Sequence, residues 1–328
     1  MKNKIRAIVL LIFLSSVSIW GCLSAAALFY SDDYDVQLNE QLPVLLKSIE
    51  SFIINPSLNH YKPLSIKQPS GVALIVHGLN VKPIRMIEIV YELSKMNIEV
   101  FSLSLQGHGS NFAKSANSKD EIARMDSFKA VSYKIWHDEL SDAYEIARQQ
   151  SIEKNVPLYF VGFSIGGLLG MDFFASNSQV WFDKLILFAP ALAVKPFCFQ
   201  LKILSFFPNY VIPSATPINY RANDGTPVAA YNVMFETISH FYQSNIAKTN
   251  IPILIFMDKK DEFVSADAME KFVKNNHLDQ WNICYIDNQT TRNRIYHHLI
   301  IDSQSVGNKT WANMVSQLQS HIKNLKNL

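Results

Sequence analysis

The run VGFSIGGLLG, residues 161–170, decides how this chain is read. It sets one serine, Ser164, between Gly162 and Gly166, with an apolar strand-like segment before it and a helix-like segment after it. A serine on a sharp strand-to-helix turn needs residues without side chains two positions to either side. Such a turn exposes the hydroxyl, and the first turn of the following helix aims free backbone N–H groups beside it. Ser164 is therefore a candidate nucleophile, and Gly162 and Gly166 form its elbow. The five-residue pattern is weak by itself and gains weight from the strand and helix that flank it.

Outward from that run, short apolar stretches alternate with longer amphipathic ones. GVALIVHG (71–78), IEVFSLSLQGHG (98–109), PLYFVGF (157–163), KLILFAP (184–190), IPILIFM (251–257) and WNICYID (281–287) read as strands. PIRMIEIVYELSKM (83–96), SYKIWHDELSDAYEIARQQ (132–150) and SADAMEKFVKNN (265–276) repeat apolar residues at helical spacing. Near-continuous apolar strands bounded by helices predict an α/β fold with a mostly parallel central sheet covered on both faces. Functional groups in such sheets gather at the carboxyl ends of the strands. That rule gathers His77, Ser164, Asp258, Asp261 and the histidines after Asp287.

The alternation fails between Pro190 and Ile251, where the chain is aromatic-rich and broken by prolines. This stretch is too long for an ordinary connection. The expected organisation is a leader or anchor over residues 1–30, a core over 31–190, an inserted cap over 191–250, and the rest of the core over 251–328.

An unassisted serine hydroxyl is a poor nucleophile and needs a base with an orienting acid. Four local matches in order, VHG (76–78), GHGS (107–110), GFSIGG (162–167) and MDKKDEFV (257–264) with YHHLIID (296–302), resemble an α/β-hydrolase of the monoglyceride-lipase and serine-aminopeptidase-like branch. The resemblance spans roughly residues 71–323. It implies the α/β-hydrolase fold and a triad in the chain order serine, acid, histidine. It places the acid at Asp261, with Asp258 as a rival because it stands where the family usually has glycine. It places the base in the His297–His298 pair. His297, followed by Leu299 and Asp302 at the family's spacing, is the expected base, and His298 is the alternative. The backbone N–H groups of Leu79 and Ile165 are the implied oxyanion donors.

The other histidines read as structural. His77 and His108 precede glycines in strand-end loops, and the resemblance makes both architectural. His137 and His240 lie in helix-like segments, while His60, His277 and His321 lie in polar ones and are expected to face solvent. Beyond Cys22 only Cys198 and Cys284 remain, one conceivable pair, with a free buried thiol the expectation for Cys284. No Cys/His spacing resembles a zinc site, and no metal or organic cofactor is expected.

The first thirty residues differ from the rest. Lys2, Lys4 and Arg6 precede an uncharged run that lasts until Asp32. A basic flank followed by an apolar run is the pattern of an export signal, and this run is also longer than the roughly 20 residues of a spanning helix. SIWGC (18–22) resembles the lipobox of bacterial lipoproteins, which would place a lipid on Cys22. The bulk of Trp20 weakens that match. Ala25–Ala27 would serve an ordinary signal peptidase, and an uncleaved anchor is the third reading. All three put the domain outside the cytoplasm: the lipoprotein and anchor readings, which are the expectation here, keep it on a membrane through its N-terminus, whereas ordinary signal-peptidase cleavage would release a soluble secreted product.

The whole chain has 328 residues, 48% of them hydrophobic and 18% charged, and a net charge of +2. That balance describes a globular protein and gives no broad basic surface for nucleic acid. The resulting expectation is a serine hydrolase that cleaves lipid-like carboxylic esters through an acyl-enzyme, with no nucleic-acid partner. A peptidase, an acyltransferase or a non-catalytic, envelope-tethered binding protein on the same fold is the alternative, because fold alone does not establish activity.

Overall fold

The computed structural model describes residues 44–65, 67–114, 118–214, 216–288 and 296–323. The leader and anchor readings, with Cys22, fall outside these residues. Among the described residues no helix is long and apolar enough to cross a membrane.

Eight strands form one sheet. They are β1 (Ser51–Asn55), β2 (Leu58–Tyr61), β3 (Gly71–Val76), β4 (Ile98–Leu103), β5 (Leu158–Phe163), β6 (Lys184–Phe188), and beyond a small two-stranded ribbon of β7 (Val211–Pro213) and β8 (Gly225–Pro227), β9 (Ile253–Asp258) and β10 (Trp281–Ile286). The order across the sheet is β1-β2-β4-β3-β5-β6-β9-β10. The β1–β2 and β2–β4 pairs are antiparallel, and every other pair in this sheet is parallel. The mostly parallel sheet expected from the apolar runs is therefore present. Its antiparallel edge hairpin was not expected, because residues 31–70 read as a polar approach.

The helices are α1 (Ile87–Lys95), α2 (Asp120–Lys129), α3 (Tyr133–Lys154), α4 (Ile165–Ser176), α5 (Val228–Gln243), α6 (Ala266–Asn275), α7 (Ser303–Val306) and α8 (Asn308–Lys323). Successive strand residues point to opposite faces, so β3 feeds two separate cores. Leu74 and Val76 join a cluster with residues of α3, α4, α5 and α6, among them Trp136, Leu168, Phe235 and Met269. Ala73 and Ile75 join the other, with residues of α1 and α8 such as Val90 and Met314. Every residue of β3, β4, β5, β6 and β9 is buried, as a sheet covered on both faces requires.

The register of the central strands fixes the site. Val76 pairs with both Leu103 and Gly162, Phe163 with Phe188, and Phe188 with Phe256. The carboxyl ends of β3, β5, β6 and β9 thus finish along one edge, with Ser164 one residue past β5 and Asp261 three past β9.

Residues 191–250 fold into a 3-10 helix (Pro196–Leu204), the β7–β8 ribbon, α5 and a short 3-10 turn (Ile246–Thr249). The two halves differ. α5 buries Val233, Phe235, Ile238 and Phe241 in the first core, whereas Phe206 and Phe207 earlier in the segment are 86% and 64% exposed.

Candidate active site

Ser164 sits between β5 and α4 with φ 52° and ψ −115°, a conformation that L-residues rarely adopt. The tightness of the turn is set by its glycines. A Cβ on Gly166 would lie 2.3 Å from the carbonyl oxygen of Val76, and one on Gly162 would lie 2.5 Å from the Cα of Gly167. The elbow therefore packs backbone on backbone. Ser164 N–H donates to the Phe188 carbonyl at 2.9 Å, and its own carbonyl accepts from Leu168 and Ala191. Strand β6 and the first turn of α4 hold the strained residue from both sides.

The Ser164 hydroxyl lies 2.8 Å from Nε2 of His298, and Nδ1 of His298 lies 2.8 Å from Oδ2 of Asp261. Asp261 is fully buried, and its other oxygen accepts from the N–H groups of Phe263 (2.7 Å) and Val264 (2.8 Å). Burial works to raise the Asp261 pKa, but the His298 charge and these hydrogen bonds outweigh it and hold the carboxyl below its usual range. An ionised Asp261 accepts a hydrogen bond from Nδ1–H, which leaves Nε2 free to accept from Ser164. For His298, burial works to lower the pKa, and the charge and hydrogen bond of Asp261, with the charge of Glu262, overcome it and raise the pKa. The imidazole is also packed between Phe163 and Phe263, each with its ring centre 5.3 Å away.

The expected base was His297, and the structure corrects this. His297 turns its Nδ1 to Oδ2 of Asp258 at 2.7 Å, while His298 is the residue that bridges Asp261 and Ser164. Adjacent residues cannot face one point, and the carboxylates decide between them. Asp258 is committed to His297 and, through Oδ1, to the N–H of Lys260, so it does not reach the serine's histidine. Glu262 was missed in the sequence. Its two oxygens accept from consecutive amides, His297 N–H at 3.0 Å and His298 N–H at 2.8 Å. Nothing in the MDKKDEFV spacing marks Glu262, because its partners lie 35 and 36 residues away.

The two backbone positions implied as oxyanion donors flank the serine by different routes. Ile165 opens α4, and an amide in the first turn has no intrahelical acceptor. Leu79 follows Gly78 just beyond β3, in a loop braced by two neutral histidines. Leu105 N–H donates to His77 Nε2 at 3.1 Å, and Asn80 N–H donates to His108 Nε2 at 3.0 Å. Burial pushes the His77 pKa down to about 4, against the pull of its bond to the Gly78 carbonyl, and pushes His108 well below its usual value. Asn80, at φ 54°, exchanges hydrogen bonds with Asn223, whose side chain also donates to the Gly107 carbonyl. The segment 191–250 thereby reaches the Leu79 loop directly.

The remaining side chains behave less uniformly than the sequence suggested. His60 and His321 were expected to face solvent. Instead His60 pairs with buried Glu99 at 2.7 Å, and burial with the nearby Lys184 pushes His321 down to about 4. His240 on α5 bonds buried Asp172 on α4 at 2.6 Å, with the Tyr133 hydroxyl also on Asp172 at 2.8 Å. Cys198 and Cys284 are free thiols and do not pair. A groove of about 560 Å³ lies between β10 and α8, lined by Tyr285, Ile286, Thr310 and Met314 among others, and includes none of Ser164, Asp261 and His298.

Residues 67–232, just over half the chain, match the family model described as "Serine aminopeptidase, S33". No curated protein gave a significant match. The fold is similar to monoglyceride lipase from Saccharomyces cerevisiae (TM-score 0.63, 13% identity, 83% of this chain and 94% of that one). It is similar also to a monoacylglycerol lipase of Paleococcus ferrophilus (0.58, 16%, 80% and 99%) and a carboxyl esterase of Bacillus coagulans (0.56, 13%, 84% and 98%). With its parallel sheet, its serine elbow and this match, the chain belongs to the serine aminopeptidase S33 family of hydrolases, on the α/β-hydrolase fold.

Proposed function

We propose that the protein is a serine hydrolase that cleaves carboxylic esters through an acyl-enzyme. Ser164 attacks the carbonyl, His298 takes its proton at Nε2 and later delivers it to the leaving alcohol, and Asp261 holds the imidazole in the Nδ1–H tautomer. The N–H groups of Leu79 and Ile165 take the charge that develops on the carbonyl oxygen, where one donor is worth about 3 kcal/mol of barrier. Water then repeats the attack on the acyl-serine and releases the acid. The observation that carries this reading is the continuous Ser164–His298–Asp261 chain, at 2.8 Å per link.

For the substrate we favour acyl-glycerols, lysophospholipids and similar lipid-like esters. The segment 191–250 acts as a cap on this reading, and its apolar, partly exposed first half suits an acyl chain better than a peptide. A substrate amine would need carboxylates there, and the segment carries only Asp224, which pairs with Arg221, and Glu236. The structural relatives named as monoglyceride and monoacylglycerol lipases support the same class. Tethering to a membrane through residues 1–30, with the domain outside the cytoplasm, belongs to this proposal and rests on the sequence pattern alone.

The test is labelling with a fluorophosphonate, which modifies a serine only when a base and oxyanion donors have activated it. Wild-type protein should label and Ser164→Ala should not. A folded wild type that stays unlabelled would favour a binding protein on a hydrolase shell. Chain-length profiling with monoacylglycerols and with aminoacyl amides then separates esterase from peptidase.

A further inference from the structure

We propose that Glu262 is a positioning residue that presents His298, and not its neighbour His297, to Ser164. The inference rests on the serine-hydrolase reading and deepens it. The chain carries two adjacent histidines and, on one turn, two aspartates three residues apart, and each histidine takes one aspartate. The two Asp–His pairs are alike in chemistry, both Nδ1 to Oδ2 within 2.8 Å, so imidazole–carboxylate affinity alone does not select which ring faces the serine. The selection has to come from the backbone that carries them.

Glu262 supplies it. Two oxygens accepting from two consecutive amides hold the peptide planes on both sides of the His297 Cα, whereas one acceptor would leave one of those planes free to rotate. The anchor is itself fixed. Asp258 accepts from Lys260 N–H through its side chain and from Asp261 N–H through its carbonyl, and Asp261 accepts from Phe263 and Val264. The turn 258–264 is therefore closed on its own carboxylates, and Glu262 ties the histidine segment to the same turn that carries the acid. Base and acid are set against one rigid reference. A base displaced by about 1 Å loses on the order of 10²-fold in rate. The carboxylate also adds negative charge beside His298, in the same sense as Asp261.

The experiment compares full-length wild type, Glu262→Ala and Glu262→Gln, using hydrolysis of a p-nitrophenyl ester across pH and NMR exchange rates of the 297 and 298 amides. Glu262→Ala should lower kcat by about 10- to 100-fold with KM within about twofold. Its acid limb should move to lower pH, because a negative charge that raised the His298 pKa is gone. Glu262→Gln keeps the shape and one acceptor oxygen, so it should recover part of kcat while its acid limb stays lowered. Both amides should exchange faster in Glu262→Ala, and at least one in Glu262→Gln. Unchanged kcat and acid limb in Glu262→Ala overturn the proposal. So does a raised KM at constant kcat, which would mark a substrate contact. If Glu262→Ala does not fold, the near-isosteric glutamine variant decides by the same criteria. An inactive, unlabelled wild type would defeat the hydrolase reading, and the amide exchange then decides separately: faster exchange in Glu262→Gln sustains the clamp, and unchanged exchange removes it.

Discussion

Two neighbouring imidazoles with opposite assignments make the residue scale testable. His298 bonds Ser164 and Asp261, and the His297 ring bonds Asp258 among the described residues. His298→Ala should lower kcat by about three orders of magnitude or more, while His297→Ala should stay within about tenfold of wild type. Steady-state kinetics on the two variants checks the assignment. The pH dependence follows from the same contacts. Asp261 and Glu262 raise the His298 pKa above the ordinary 6.5 despite burial, and only the neutral ring can accept the serine proton. Activity should therefore fall as pH drops through a midpoint above 6.5 in a kcat/KM profile. Asp261→Asn removes a charge that raised this pKa, so its residual activity should show an acid limb at lower pH. The histidine pair also marks where sequence reading ended. Ser164 announces itself through local chemistry, its elbow, whereas Asp261 was reached through the family resemblance, with Asp258 as a rival on the same turn. The choice between two adjacent histidines is made by carboxylates at 258, 261 and 262, distant in sequence, and no spacing within YHHLIID encodes it.

At the scale of elements, the elbow is a contact between β3 and the start of α4. A Gly166→Ala methyl would meet the carbonyl oxygens of Val76 at 2.3 Å and His77 at 2.5 Å, backbone atoms that cannot step aside cheaply. The substitution should destabilise the fold by about 2–4 kcal/mol. Gly167→Ala meets Pro190 Cβ at 3.0 Å and should do less harm. Urea denaturation of the two variants compares them. Elements buried on both faces were legible because their apolar runs are nearly unbroken, as in β3 and β9. The β1–β2 hairpin was not. All five residues of β1 are exposed, so SFIIN carries no burial pattern to read. Helix α2 escaped for a related reason, since it buries only Ala123 and Phe128.

Across the whole molecule, buried histidines contribute one part of the response to acid. His77 and His321 are pushed down to about 4 and His108 well below its usual value, in each case first by burial. The unfolded chain takes up these protons near 6.5, so between pH 6.5 and 4 it binds more protons than the native state and stability falls as pH falls. The lowering at His77 corresponds to about 3 kcal/mol. Glu88 opposes this. Burial, followed by the Asp302 charge, raises it to about 7, so its contribution is full below the carboxylate's usual value and is lost as pH rises through about 7. Burial lowers His137 as well, and raises Glu139, Asp172 and Asp302 in the sense of Glu88, so the histidine share of the decline in melting temperature on acidification is isolated by removing one member. His321→Gln, which removes one of these histidines, should flatten that decline in thermal scans across pH.

The positive φ of Ser164 separates the sequence that works from the sequence that lasts. Strain of this kind amounts to about 1–3 kcal/mol, and glycine would relieve it. Ser164→Gly should therefore melt at a higher temperature than wild type, with hydrolysis abolished. On the proposed mechanism, drift toward thermal robustness alone would erase Ser164 first, so a serine kept at 164 through such drift would measure selection on turnover against selection on endurance.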